Sequence, residues 1–181
     1  MTTTLVLTVI GDDRVGLVKA LADVIAEGGG SWERSRLSEL AGKFAGIVVV
    51  TVPDDRVGAL RDALDPLEGL LDVAVHDALS TPATGAATPS GQQVRLELVG
   101  NDRPGLVGGV SAVLARHDLS VVELTSATLE APMAGGRLFE ATALIAVSHD
   151  TDLDALRADL ERLATEIMVD LSVTSGDASA T

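Results

Sequence analysis

Two short stretches of this chain place the same chemically useful residues in the same order. Gly11-Asp12-Asp13-Arg14-Val15-Gly16-Leu17-Val18 is answered by Gly100-Asn101-Asp102-Arg103-Pro104-Gly105-Leu106-Val107, at an offset of 89 residues. Each reads as the turn between a strand and a helix, where the free amides of the first helical turn favour negative charge. Gly16 and Gly105 carry no Cβ, so a ligand can approach the backbone closely and a positive φ is open to them. A free amino acid brings a carboxylate and an ammonium. The amides of Gly16, Leu17, Gly105 and Leu106 suit the first, and Asp13, Asn101 or Asp102 the second. Arg14 and Arg103 are further carboxylate partners, although a lone surface arginine is more often solvated. Val15 and Pro104 complete the candidate set, and Pro104 pre-sets a first helical turn.

A purely architectural reading competes. Gly11 and Gly100 would end strands, Asp13 and Asp102 would cap helices, and the Leu17 and Leu106 side chains would enter the core. The repetition weighs against it, because a cap can be Ser, Thr, Asn or Asp. Both copies nonetheless keep Gly, Asp, Arg, Gly and Leu in one order, and eight of the sixteen residues from Gly11 to Ala26 are identical at the offset.

The elements that position the turns repeat as well. Val94, Leu96 and Leu98 alternate with Arg95 and Glu97 as in a half-buried strand, and Leu5, Leu7 and Val9 hold the equivalent places. A helix from about Val15 to Ala26 carries Leu17, Leu21, Val24 and Ile25 on one stripe, matched by Leu106, Val110, Val113 and Leu114. Strands follow near Trp32 to Leu40 and Phe44 to Val52, then near Val121 to Leu129 and Leu138 to Val147. Trp32 aligns with Val121 and reads as buried packing. The second copy is longer by Ala131-Pro132-Met133-Ala134-Gly135-Gly136. Second helices begin near Asp54 and Asp55, and near Asp150 and Asp152, where acids suit the positive helix end. Closing strands are expected at Leu71 to His76 and Ile167 to Val173. This order, βαββαβ twice, predicts an α+β protein of two ferredoxin-like domains, antiparallel sheets with helices on one face. The expected boundaries are 1–78, a flexible linker at 79–92 rich in small residues and proline, 93–174, and a frayed tail at 175–181.

Composition removes several function classes. The net charge of −14 opposes a phosphate backbone, so no direct nucleic-acid binding is expected. No cysteine is present, which excludes thiolate chemistry and cysteine-based zinc. His76, His117 and His149 stand singly, without metal-ligand spacing. Met1 to Ile10 lacks a basic leader, and the apolar run Ile47 to Val52 is far shorter than the ~20 residues of a membrane-spanning helix. The expectation is a cytoplasmic protein without signal peptide, membrane segment or cofactor.

With these residues in view, the chain resembles the ACT domain family, whose motif G-x-(D/N)-x-(P)-G-(L/V/I) is met at Gly11 to Leu17 and Gly100 to Leu106. The resemblance covers about residues 4 to 77 and 93 to 174. As a chain of two such domains it is similar to the glycine cleavage system transcriptional repressor group. Ser35-Arg36-Leu37, Gly42-Lys43-Phe44-Ala45 and Val122-Glu123-Leu124 carry that likeness, and Val15 departs from it where the family often has Pro. The resemblance implies a non-catalytic regulator that binds a small amino acid and acts through a regulatory protein partner. A homodimer is expected, because ferredoxin-like sheets leave edges to cover. The alternatives are a ligand-blind interaction scaffold and a small ferredoxin-like hydrolase. For the hydrolase, the acidic neighbours of Arg14 and Arg103 are unfavourable to a phosphate.

Overall fold

The computed structural model describes residues 1–67, 69–78, 92–130 and 136–176. The chain divides into two compact units, Met1–Ser80 and Thr81–Thr181, called here module 1 and module 2. Module 1 runs β1 (Thr2–Asp12), α1 (Leu17–Glu27), β2 (Ser31–Leu40), β3 (Lys43–Pro53), α2 (Val57–Leu64) and β4 (Asp72–Asp77). Module 2 runs β5 (Gln92–Asn101), α3 (Leu106–Arg116), β6 (Ser120–Glu130), β7 (Arg137–Val147), α4 (Leu153–Ile167) and β8 (Val169–Gly176). Both have the βαββαβ order, and their antiparallel sheets are ordered β2-β3-β1-β4 and β6-β7-β5-β8. The α+β, ferredoxin-like architecture is therefore present twice.

Alternation along the first strand of each module decides which sheet face is covered. Leu5, Leu7 and Val9 are buried in one cluster with Leu17, Leu21 and Ile25 of α1 and Leu60 and Leu64 of α2. Val94, Leu96 and Leu98 are buried with Val110, Val113 and Leu114 of α3 and Leu156 and Leu160 of α4. The helical stripes read from 3.6-residue spacing are thus the core faces. Trp32 packs against the first core and is half-buried. A register shift falls at the same place in both modules, between Trp32 and Arg34 and between Val121 and Glu123.

Element ends moved by a few residues. The helices α1 and α3 begin at Leu17 and Leu106 because Gly16 and Gly105 hold the N-cap in the left-handed region. Gln92, expected in the linker, opens β5, while Ser175 and Gly176, expected in the tail, extend β8 along Val94 and Gln93. The remaining linker at 79–91, the insert from Ala131 to Gly135 and the tail at 177–181 lie outside the described residues. Asp152 caps α4, its Oδ1 accepting from the amides of Asp154 at 3.1 Å and Ala155 at 2.9 Å. Asp54 and Asp55 instead sit in a single 3₁₀ turn ahead of α2, where Asp54 accepts from the Thr3 hydroxyl at 2.8 Å. Among the described residues no helix is long and apolar enough to cross a membrane, and no cluster of metal-ligating side chains occurs.

Candidate functional site

The two repeated glycines of each turn have different jobs. Gly11 and Gly100 lie within β1 and β5, pressed against the chain returning from the second helix. A Cβ at Gly11 would stand 2.5 Å from the Leu70 carbonyl oxygen, and one at Gly100 would stand 2.4 Å from Val169 Cγ1. These positions are glycine for want of room. Gly16 and Gly105 are the reverse. Their φ values of 99° and 95° belong to the left-handed region, and no atom lies within 4 Å of where a Cβ would be. They are glycine because of backbone conformation, and the space beside them is open.

No side chain caps either helix. This corrects the architectural reading of Asp13 and Asp102 as caps. Their backbone amides instead tie each turn to the neighbouring hairpin, Asp13 N–H to the Gly42 carbonyl at 2.9 Å and Asp102 N–H to the Arg137 carbonyl at 2.8 Å. The first helical bonds run from Ala20 N–H to the Gly16 carbonyl and from Gly109 N–H to the Gly105 carbonyl. The amides of Leu17, Val18 and Lys19, and of Leu106, Val107 and Gly108, therefore precede the intrahelical ladder and remain as donors at a positive helix end.

Around this common frame the predicted residues divide. Leu17 and Leu106 are buried, so only their amides serve the turn, while Val15 and Pro104 are exposed. Asp13 is exposed, as is Asn101, the last β5 residue in the ladder with β7. The Asp102 carboxylate faces Arg137 at 3.8 Å. Arg14 donates to the Gly69 carbonyl at 2.7 Å. Arg103 is half-buried, and its Nη2 is enclosed without a hydrogen-bond partner. The second helices of the two modules also differ in length. The eight-residue α2 is followed by a 3₁₀ turn, Asp65–Leu67, and a loop whose carbonyl meets Arg14. The fifteen-residue α4 ends one residue before β8.

Module 1 also has a cleft that sets the predicted Arg14 among charged residues the sequence reading missed. Asp12, Arg14, Lys43 and Asp72 line it together with Gly11 and Gly69. Lys43 pairs with Asp12, and this hydrogen bond holds the Asp12 carboxyl below its ordinary range. Two cations and two carboxylates suit a zwitterion. Only strand register brings them together: Asp12 lies opposite Lys43, and Ile10 opposite Asp72. Linear spacing carried no signal for it.

The sequence profile of the ACT domain family matches residues 3–76 and 92–174, the two βαββαβ units. The chain belongs to the ACT domain family. It is 32% identical over 81 residues to a UPF0237 protein of Methanopyrus kandleri, covering 44% of this chain and 83% of that protein. It is 27% identical over 125 residues to the glycine cleavage system transcriptional repressor of Escherichia coli, covering 68% of this chain and 64% of the repressor. A crystal structure of an unknown protein from Galdieria sulphuraria superposes with a TM-score of 0.85 at 29% identity, over 98% of this chain and all of that one. A structure whose description proposes a glycine cleavage system transcriptional repressor superposes with a TM-score of 0.71, over 96% and 97% of the two chains. At 17% identity it speaks to the fold alone. This ACT domain chain thus carries the repeated turn once in each of its two matched units.

Proposed function

We propose that the chain is a non-catalytic sensor that binds a small amino acid at the β1–α1 and β5–α3 turns and passes the signal to a protein partner. The observation that carries this reading is the uncapped helix start behind a left-handed glycine with open space beside it, made twice. The amides of Gly16, Leu17, Gly105 and Leu106 receive the ligand carboxylate, and Asp13, Asn101 or Asp102 faces its ammonium. Pro104, which pre-sets the turn, and Asn101, a polar group absent from the first turn, favour module 2 as the stronger site.

Similarity to the Escherichia coli repressor supports transcription as the regulated output. The charge of −14 favours a route through a protein rather than through DNA. The protein acts in the cytoplasm, as a homodimer that covers sheet edges such as β2, where Leu40 is exposed. A ligand-blind scaffold would use the same edges, but it has no need of the repeated turn.

Calorimetry and melting-temperature shifts against the proteinogenic amino acids test the proposal. Binding is expected in the micromolar to millimolar range, about 4 to 8 kcal/mol. Asp102→Ala should remove most of it while circular dichroism shows an intact fold. Absence of heat and of any melting shift at high millimolar concentration would sink the reading. Light scattering at tens of micromolar should give the mass of two chains.

A further inference from the structure

Module 2 contains an apolar pocket between α3 and the neighbouring strands, lined by Val107, Val110, Val121, Leu124, Phe139 and Ala143, with Ser111 on the helix side. Strand register identifies the corresponding residues of module 1. Val121 lies opposite Ile145, which is opposite Val94; Trp32 lies opposite Val50, which is opposite Leu5. Ala143 stands between Leu96 and Leu124, as Val48 stands between Leu7 and Ser35. On the helix, Val110 takes the place of Leu21.

Three of these positions are smaller in module 2: valine for Trp32, alanine for Val48 and valine for Leu21. Other lining positions are larger in module 2, Leu98 for Val9, Ala141 for Gly46 and Leu124 for Ser35, and Leu124, 48% exposed, forms an apolar wall of the pocket. Module 1 fills this region with its own side chains, Trp32 packing on the core. Module 2 leaves it open. The enclosed space is about 30 Å³. A water-sized sphere needs about 10–15 Å³, and an apolar cavity that binds benzene has about 150 Å³. The room therefore suits two or three heavy atoms and refuses an aromatic ring.

We infer that this pocket takes the branched aliphatic side chain of an amino acid of the valine kind. The inference rests on the reading of the β5–α3 turn as the place for the ligand's charged groups. Val107, at the pocket mouth, is the residue after Leu106, whose amide belongs to that turn. Module 2 is then selective for a branched aliphatic ligand over glycine.

Calorimetry on the full chain with valine, phenylalanine and glycine as probes tests this. Valine should bind about tenfold tighter than glycine, the discrimination a few buried methyl groups confer, and phenylalanine should bind no better than glycine. Ala143→Val, which restores the module 1 residue, should weaken valine binding about tenfold and leave glycine within about twofold. Val121→Trp, at the exposed mouth, should do the same and serves if Ala143→Val fails to fold. Equal affinity for glycine and valine, or valine binding untouched by both variants, overturns the pocket assignment and leaves the turn reading standing. Failure of every amino acid to bind overturns the turn reading, and the pocket assignment with it.

Discussion

In module 1 the Arg14 guanidinium reaches the Gly69 carbonyl, whereas in module 2 the corresponding Arg103 ends on an enclosed nitrogen with no partner. The turns themselves are nearly superimposable in kind, with glycine φ values within a few degrees and the same amide bond to the next hairpin. What differs is the surroundings. Module 1 has a short second helix and then a loop whose carbonyl meets its arginine, and module 2 has a long second helix that ends one residue before β8. The same division runs through the cores, where Trp32 packs in one module and Val121 leaves room in the other. A duplicated motif can thus keep its backbone while its two arginines meet different surroundings.

The largest expected effect distinguishes the crowded glycines. Gly11→Ala drives a methyl into the Leu70 backbone carbonyl, and Gly100→Ala drives one into the Val169 side chain. Each should cost about 1–3 kcal/mol or more, as overpacking does. Val169→Ala should partly rescue Gly100→Ala, since Val169 Cβ remains 2.9 Å away. No side-chain truncation should rescue Gly11→Ala. Trp32 is the sole tryptophan, so its fluorescence follows module 1 in denaturant melts, while amide exchange follows module 2. Equal rescue of both would break the distinction.

A smaller effect concerns the arginines. Arg14→Ala removes a hydrogen bond and should destabilise module 1 by about 0.5–1.5 kcal/mol. Arg103→Ala should leave module 2 equally stable or more so, because it removes a buried nitrogen with no partner. Its effect should appear in ligand affinity. If Arg103→Ala destabilises as much as Arg14→Ala, the two turns are not distinguished by their arginines.

The smallest effect is a pH response. In module 1, Arg56 donates to the Gly28 and Glu27 carbonyls at the end of α1, a clasp that contains no carboxylate. In module 2, the His117 imidazole lies 3.1 Å from Asp159 Oδ2. That hydrogen bond, helped by Arg162 and opposed by desolvation, holds the Asp159 carboxyl below its ordinary value of 3.8. Asp159 is thus more acidic folded than unfolded. Its contribution is fully present above the unfolded value and fades as pH falls through the lower folded one. Acid titration should therefore loosen the α3–α4 contact of module 2 below about pH 4. His117→Ala should flatten that response, and the module 1 clasp should show none.

Sequence patterns reached far into this molecule, and their reach had a physical limit. The alternation of Leu5, Leu7 and Val9 and the stripe Leu17, Leu21, Ile25 are local periodicities, so they disclosed the core faces and the βαββαβ order. The motif turn was legible because it repeats. That Gly16 and Gly105 would be the caps was not, since an aspartate nearby is the commoner capping residue. The Asp12, Lys43 and Asp72 cluster depends on pairing between distant strands, and the Arg103 orphan depends on what surrounds its nitrogen in the fold. Both are products of tertiary register, and single-sequence spacing does not encode them.

The strand order carries a consequence for how the chain is made. In each sheet the first strand is central, β1 between β3 and β4 and β5 between β7 and β8, so the first segment synthesised pairs with the last. Neither module can close locally; each waits for long-range pairing, which is the slow kind. On the ribosome, β1 keeps an unpaired side until Asp72–Asp77 has emerged, and β5 until Val169–Gly176 has. Synthesis therefore passes through two successive windows of exposure to proteases and chaperones, and a truncation before residue 72 leaves β1 with one edge that no part of its own sheet can cover.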